Sequence, residues 1–289
     1  MVLKFLIELI SIEEPLAIVS NAMFSHILIA SMPKVLVRVA HIQDIVDRKQ
    51  LFRIYGKILD YIVVNVDEVI SISDAVIDTF LEKHQHKVHK IYNPVQVPSN
   101  LVQTDNDVFL VGMFARYVDW KGHKELLKIV EQVKATGTEN LKFVCFGNAY
   151  GNESYFESLK EEVRRTNLTE YIDLNTFTNH VMLEMNKCDI ILHLSVKPEP
   201  FGRILIEANM LKKPILAYEG GGVVELFNNL KLVGDVVKVE DNQAIARAIL
   251  DFQKRNIDVN DFPELKDLSP ETYVRKFMKV ILDANSKSG

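Results

Sequence analysis

Three short constellations in the 289-residue chain hold residue types that could do chemistry. In the first, Arg116 and Lys121 follow the strand-like run Val111-Gly112-Met113-Phe114, just before a helical pattern opens at Gly122. Two cations beside the free N–H groups of a helix start favour an anion such as a phosphate. The other reading is a pair of solvated surface cations. The second constellation is Glu199-Pro200-Phe201-Gly202-Arg203-Ile204-Leu205-Ile206-Glu207. Glu199 falls in a loop after a strand, and Glu207 lies about one turn into the next helix. Gly202 allows close backbone approach, and the helix it opens offers unpaired N–H groups. A carboxylate can accept paired hydrogen bonds from vicinal hydroxyls, as on a sugar or a ribose. Against this stand an ordinary exposed loop acid for Glu199 and, for Glu207, an i,i+4 pair with Arg203 worth ~0.3 kcal/mol. The third is Gly220-Gly221-Gly222 with Glu225 behind it. A triple glycine can curl its amides around an anion, or serve only as a flexible turn.

The elements that must position these residues are legible as a repeating pattern. Strand-length apolar runs occur at 108–114, 141–146, 190–194 and 214–217, each bounded by Gly, Asn, Lys or Pro. Helical patterns alternate with them at 122–135, 154–166, 179–187 and 203–211. Such alternation predicts βαβ units and a parallel sheet covered on both faces. Ligands of such sheets sit outside the carboxyl ends of the strands, where all three constellations fall. The first half repeats the plan more weakly, with strands expected at 16–20, 35–39, 68–73 and 88–92 and helices at 22–30 and 75–82. The stretch 93–107, with two prolines and little periodicity, reads as a linker. Ser269-Pro270-Glu271 starts a last helix with an apolar stripe of Val274, Phe277, Met278, Ile281 and Leu282. The domains expected are 1–98, 99–268 and a closing helix, 269–289.

Composition narrows the function. Hydrophobic residues make up 48% and charged residues 25%, which describes a globular chain and excludes a disordered or coiled-coil one. The net charge of −5 argues against nucleic acid as a partner. Any anionic ligand must therefore be held by a few local cations. Cys145 and Cys188 sit in apolar runs and read as buried free thiols of a reducing compartment. No apolar run reaches membrane-span length and the start makes a poor signal peptide, so a cytoplasmic location is expected. Lys34, Arg38, Arg48, Lys49, Arg53 and Lys57 form a basic stretch; it reads as a solvated helix face or a peripheral membrane contact. His26, His84, His86, His89, His123, His180 and His193 show no metal-ligand spacing. Asp105-Asn106-Asp107 precedes a strand, so it reads as a linker turn and not as a metal site.

The segment Glu199 to Glu207, two acids flanking Pro-Phe-Gly, resembles the signature of the retaining glycosyltransferases of family 4. Phe114-Ala115-Arg116 through Trp120-Lys121-Gly122 resembles that family's Gly-Arg…Lys-Gly segment, with Ala115 where a glycine is usual. Ile70-Ser71-Ile72-Ser73, Asn93 and Lys213-Pro214-Ile215 through Glu225 extend the likeness.

The resemblance implies an α/β chain of GT-B architecture: two Rossmann-like domains facing across a cleft, the second holding a nucleotide diphosphate sugar, with the last helix returning to the first. It implies that Arg116 and Lys121 grip the donor diphosphate and stabilise its charge as it leaves, without a metal or other cofactor. Glu207 would bind the ribose hydroxyls, and Glu199, with amides near Phe201 and Gly202, the transferred sugar. The amides of Arg203 and Ile204 would add to the diphosphate site, while Gly147 and the segment 175–177, ending in Phe177, would border the base. His41, after the strand expected at 35–39, would contact the donor sugar or its phosphate; its other reading is structural. The acceptor would be a glycan or a lipid-linked sugar.

The match departs from the family at the start. No glycine precedes Gly56, and the run 16–20 resembles an interior strand. A shortened first domain is therefore expected, either sufficient as it is or completed by a partner chain. Two further readings are a donor-binding subunit or inactive remnant, and a nucleotide-sugar epimerase, which the Glu-to-Glu spacing disfavours.

Overall fold

A computed structural model of the chain describes residues 17–34, 36–48, 54–98, 101, 107–255 and 257–288. It divides into two compact units, Met1–Pro94 with Pro270–Gly289, and Val95–Ser269. Leu16, Val35, Lys49, Arg53, Asp105 and Asn106, on which some expectations rest, lie outside the described residues.

The first unit is built on four parallel strands in the order β1-β2-β3-β4: Ala17–Ser20, Val37–Ile42, Glu68–Ser71 and Val88–Lys90. Helices α1 (Met23–Ala30) and α2 (Ile54–Asn65) make the first two crossovers. The third differs from the expected helix over 75–82. Ser73 caps α3 (Asp74–Ile77) by accepting from the Val76 amide at 3.2 Å, but the helix stops there. Glu82–Lys87 forms 3-10 turns with no buried residue, since it has no apolar stripe to sustain an α-helix. Most of the described cations of the basic stretch are already engaged. Lys34 and Arg38 share Asp67, and Arg48 binds Asp60 at 2.7 Å. Of the described ones Lys57 is exposed and makes no ion pair among the described residues, while Lys49 and Arg53 lie outside them.

The second unit carries six parallel strands in the order β10-β9-β8-β5-β6-β7. The strands are β5 (Phe109–Phe114), β6 (Leu141–Phe146), β7 (Ile172–Asn175), β8 (Ile190–His193), β9 (Ile215–Tyr218) and β10 (Gly234–Val237). Their crossovers are α4 (His123–Ala135), α5 (Glu153–Arg165), α6 (Val181–Lys187), α7 (Arg203–Met210) and α8 (Gly222–Leu230), with α9 (Asn242–Lys254) after β10. The four strands expected here all form. Strands β7 and β10 had no apolar run to announce them, because Asp173 and Asp235 interrupt their sequences. Both lie at the sheet's edges, where a strand need not be apolar on both faces. Val111, Met113, Phe143, Cys145, Ile190 and Leu192 pack with Leu126, Ile129, Leu159 and Ile249 into one core. Strand order reverses between β5 and β8: β6 and β7 are added on one side, β9 and β10 on the other. Such a doubly wound sheet has its ligand crevice at the carboxyl ends of the two strands at the reversal.

Helix α10 (Pro270–Ser288) returns the chain to the first unit, packing on β2 and β3. Its packed face shares only Phe277 and Ile281 with the expected stripe. Val280, Ile281 and Ala284 pack against Val37, Val39, Ile70 and Ile91, with Tyr273 and Phe277 alongside. Val274, Met278 and Leu282 stay exposed. At 3.6 residues per turn, positions 273, 277, 280, 281 and 284 share a narrower face that leaves 274, 278 and 282 on its flank.

Candidate functional site

The loops leaving β5 and β8 meet at the strand-order reversal. After β5 the chain turns through a short 3-10 helix, Asp119–Lys121, into Gly122. Gly122 has φ +85°, and a Cβ there would stand 1.9 Å from the Leu194 carbonyl oxygen, so only glycine lets the two loops lie this close. The Val196 amide donates to the Trp120 carbonyl at 2.9 Å and ties them together. The loop after β6 joins in the same way. The Ala115 amide donates to Phe146 O and the Tyr117 amide to Asn148 O, both at 3.0 Å. At Gly147 a Cβ would fall 2.0 Å from the Ala115 carbonyl oxygen.

This packing brings Lys121 onto Glu199. The ammonium donates to Oε2 at 2.5 Å, and the Ser195 hydroxyl donates to the same oxygen at 3.0 Å. Both charged side chains are about 85% buried, with exposures of 15% and 16%. Lys121 Nζ also lies 4.2 Å from the ring centre of Trp120. Burial alone would raise the Glu199 carboxyl; the opposing pull of His193, Lys121 and the Ser195 hydroxyl leaves it below its ordinary value. His193 is itself driven down to about 4, by burial first, so at neutral pH its ring is uncharged. Lys121 is then the cation that keeps Glu199 ionised. The reading of Glu199 as an exposed loop acid is thereby corrected.

The triple glycine holds this loop from the other side. Gly221 has φ +55°, forms a bridge to Glu199, and leaves no room for a Cβ, which would sit 2.0 Å from the Glu199 carbonyl. The Gly222 amide donates to that carbonyl at 2.7 Å. The glycines thus serve close packing against the acidic loop. Gly202, with φ +90°, opens α7 with no side-chain cap, leaving the first amides of the helix, at Arg203 and Ile204, uncapped by any side chain. The Phe201 ring is buried.

Glu207 lies on α7, largely buried, and accepts from exposed Arg203 Nε at 2.7 Å. Burial raises its pKa, and Arg203 only partly offsets that. The i,i+4 pair is therefore real, but it involves a carboxylate that the fold has taken out of water. Arg116 is exposed, with no side-chain hydrogen bond or ion pair among the described residues. Phe177, 61% exposed, follows β7, whose end is held by a 2.7 Å hydrogen bond from the Tyr117 hydroxyl to the Asn175 carbonyl.

The structure therefore joins Lys121 to Glu199 and Arg203 to Glu207, and leaves Arg116 and Phe177 projecting from neighbouring loops. His41 belongs to the first unit, near the end of β2. It is buried and driven to about 4 by burial, its Nε2 has no hydrogen-bond partner, and Phe277 packs edge-on against it. Ser195 and His193 are site residues that sequence reasoning did not select. Ser195 was within reach, four residues before Glu199; the lone His193 carried no signal without the sheet. Among the described residues no group of three His, Cys, Asp or Glu side chains is arranged to hold a metal ion, and no helix is long and apolar enough to cross a membrane.

Open doubly wound sheets bind their ligands at the strand-order reversal, and in this chain that place holds a largely buried pair of oppositely charged side chains. Residues 99–267 match the family model described as Glycosyl transferases group 1, and the chain belongs to that family. An uncharacterised 42.6 kDa protein in the cps region of Klebsiella pneumoniae is 29% identical over 187 residues, which is 63% of this chain and 45% of that protein. The match thus spans less than half of the relative's length. Among solved structures, Anabaena HepE in complex with UDP and glucose is similar with a TM-score of 0.72 at 22% identity, covering 94% of this chain and 76% of HepE. S. aureus TarM, in a complex that includes UDP, gives a TM-score of 0.73 at 17% identity, covering 92% and 55%. Sucrose-phosphate synthase from Thermosynechococcus elongatus gives 0.70 at 16%, covering 94% and 73%. These likenesses establish the fold as α/β of the GT-B glycosyltransferase type.

Proposed function

We propose that the chain is a retaining glycosyltransferase that takes a hexose from a nucleotide diphosphate sugar and passes it to a glycan or lipid-linked acceptor without a metal ion. The observation that carries this reading is the Lys121–Glu199 pair at the reversal between β5 and β8. Lys121 and Arg116 take the diphosphate, together with the amides of Arg203 and Ile204. Glu199 and the backbone at Phe201 and Gly202 take the sugar hydroxyls, and Glu207 the ribose hydroxyls. Gly147 and Phe177 border the base. For His41 we propose a role at the transferred sugar. In the reaction the C1–O bond to the diphosphate breaks, the acceptor oxygen bonds to C1 on the same face, and the acceptor's proton ends on the leaving phosphate. The negative charge that grows on the diphosphate is met by cations already in place, which is where the rate gain arises. The similarity to structures that contain UDP makes UDP-sugars the first donors to test.

A thermal-shift screen of UDP-, GDP- and ADP-sugars, followed by release of the nucleoside diphosphate with and without EDTA, tests the reading. NMR of the product's anomeric centre tests retention. Stabilisation by one donor and EDTA-resistant release are expected. No binding by any donor would overturn the proposal; binding without release or transfer would instead favour a donor-binding subunit.

A further inference from the structure

The donor reading asks Lys121 to hold a diphosphate and Glu199 to hold a sugar, yet the two are spent on each other at 2.5 Å. A donor's phosphates must draw the ammonium away, which would leave a largely buried carboxylate facing neutral hydroxyls alone, that of Ser195 and those of the sugar. An uncompensated buried charge is costly, so a second partner has to be at hand. One is present. His193 ends β8, is 7% exposed, and its Nε2 is buried with no hydrogen-bond partner, 3.9 Å from Glu199 Oε2.

We infer that His193 is the reserve partner of Glu199: when the donor diphosphate takes Lys121, the imidazole binds the carboxylate through Nε2–H and keeps it aimed at the sugar. This rests on the donor reading above. His193 is thus a positioning residue, acting through Glu199. The charged groups that face it are Glu199, on the loop it precedes, and Lys121, after β5. On the β9 side its neighbour in register is Ala217, which carries no charge. Lys121 lowers the imidazole's proton affinity and Glu199 raises it. Departure of the ammonium removes the first influence and leaves the second, so donor binding should load a proton onto His193. The proton comes from solvent and returns to it when Lys121 swings back.

The test is calorimetric titration with UDP, GDP and ADP at pH 5 in two buffers of different ionisation enthalpy, which counts protons. The nucleotide's terminal phosphate titrates in the same range, so the quantity read is the difference between wild type and His193→Gln. The glutamine keeps a donor for Glu199 but takes no proton. Wild type should take up roughly half a proton more per nucleotide bound than the variant. A second variant, Lys121→Met, imitates the departed ammonium. Its His193 ring signal in carbon-detected NMR should titrate at least about one pH unit above that of the free wild type, and it needs no ligand. Equal proton counts in wild type and His193→Gln, or an unmoved His193 titration in Lys121→Met, would overturn the inference while leaving the donor site standing. If none of the nucleotides binds wild type, the donor reading itself falls and takes this one with it.

Discussion

Each of the two units ends its strands in a row of polar side chains, but the two rows differ in kind. At the carboxyl ends of β5 and β8 the second unit places a largely buried ammonium against a largely buried carboxylate. At the ends of β1 and β2 the first unit places uncharged groups: Ser20 bonded to His26 at 2.6 Å, Asn21 to Gln43 at 2.6 Å, and Asn93 to Gln43 at 3.3 Å, with His41 beside them. Burial drives both histidines to about 4, so both rings are uncharged at physiological pH. A balanced pair of charges suits a ligand that brings its own charge and can exchange with one member. A neutral set of donors and acceptors suits hydroxyls. The same α/β plan is tuned by which side chains survive at the strand ends.

The sharpest way to break this contrast is at Lys121. Lys121→Ala should lower kcat/KM with the correct donor by roughly 2–4 kcal/mol, as for loss of a charged contact to a leaving group. An unchanged kcat/KM would remove the charged edge from the chemistry. Next in size is a pH effect from the neutral edge. His26 and His41 fold with proton affinities held near 4, whereas the unfolded chain binds those protons near 6.5. The unfolded state thus holds more protons between these values, and stability falls as the pH drops through that window. The full benefit is present above about 6.5, and each such histidine contributes at most about 1.4 kcal/mol per pH unit. Denaturant unfolding at pH 7, 6 and 5 should show the fall, to which buried His123 and His193, also held near 4, contribute as well, and His41→Gln should lessen it; an identical slope would mean that His41 already carries a proton in the fold. Glu207→Gln should weaken nucleotide binding by roughly 1–2 kcal/mol, with calorimetry as the readout. The smallest effect is expected at Gln43→Ala: a loss of about 1 kcal/mol in acceptor kcat/KM, with the nucleotide dissociation constant unmoved. Weaker nucleotide binding in that variant would erase the distinction between the two edges.

The charged edge was also the more legible of the two in sequence. Runs such as Ile215–Tyr218 and the helix starting at Arg203 can be read directly, because a strand buried on both faces must be apolar throughout and a helix needs its stripe. Glu199 and Lys121 stood out through their neighbours Pro200-Phe201-Gly202 and Gly122. What sequence could not supply was mutual contact: 78 positions separate the two side chains, and only the strand-order reversal joins them. The same holds for the triple glycine, whose purpose appears only when Gly221 is seen against Glu199. In the first unit, Asn93 stood out through the family likeness, but Asn21 and Gln43 are common residue types with no motif around them, and the meeting of the three is purely tertiary.

Cys145 and Cys188 are both buried in the second unit, with burial pushing each thiol up to about 12, and the first unit has no cysteine. Alkylating reagents act on exposed thiolate, so labelling of the native chain must wait for the six-stranded sheet to breathe. The rate of maleimide uptake is therefore a built-in gauge of opening in one half of the molecule alone. Slower uptake with a nucleotide present would place that ligand in the same half without any engineered probe.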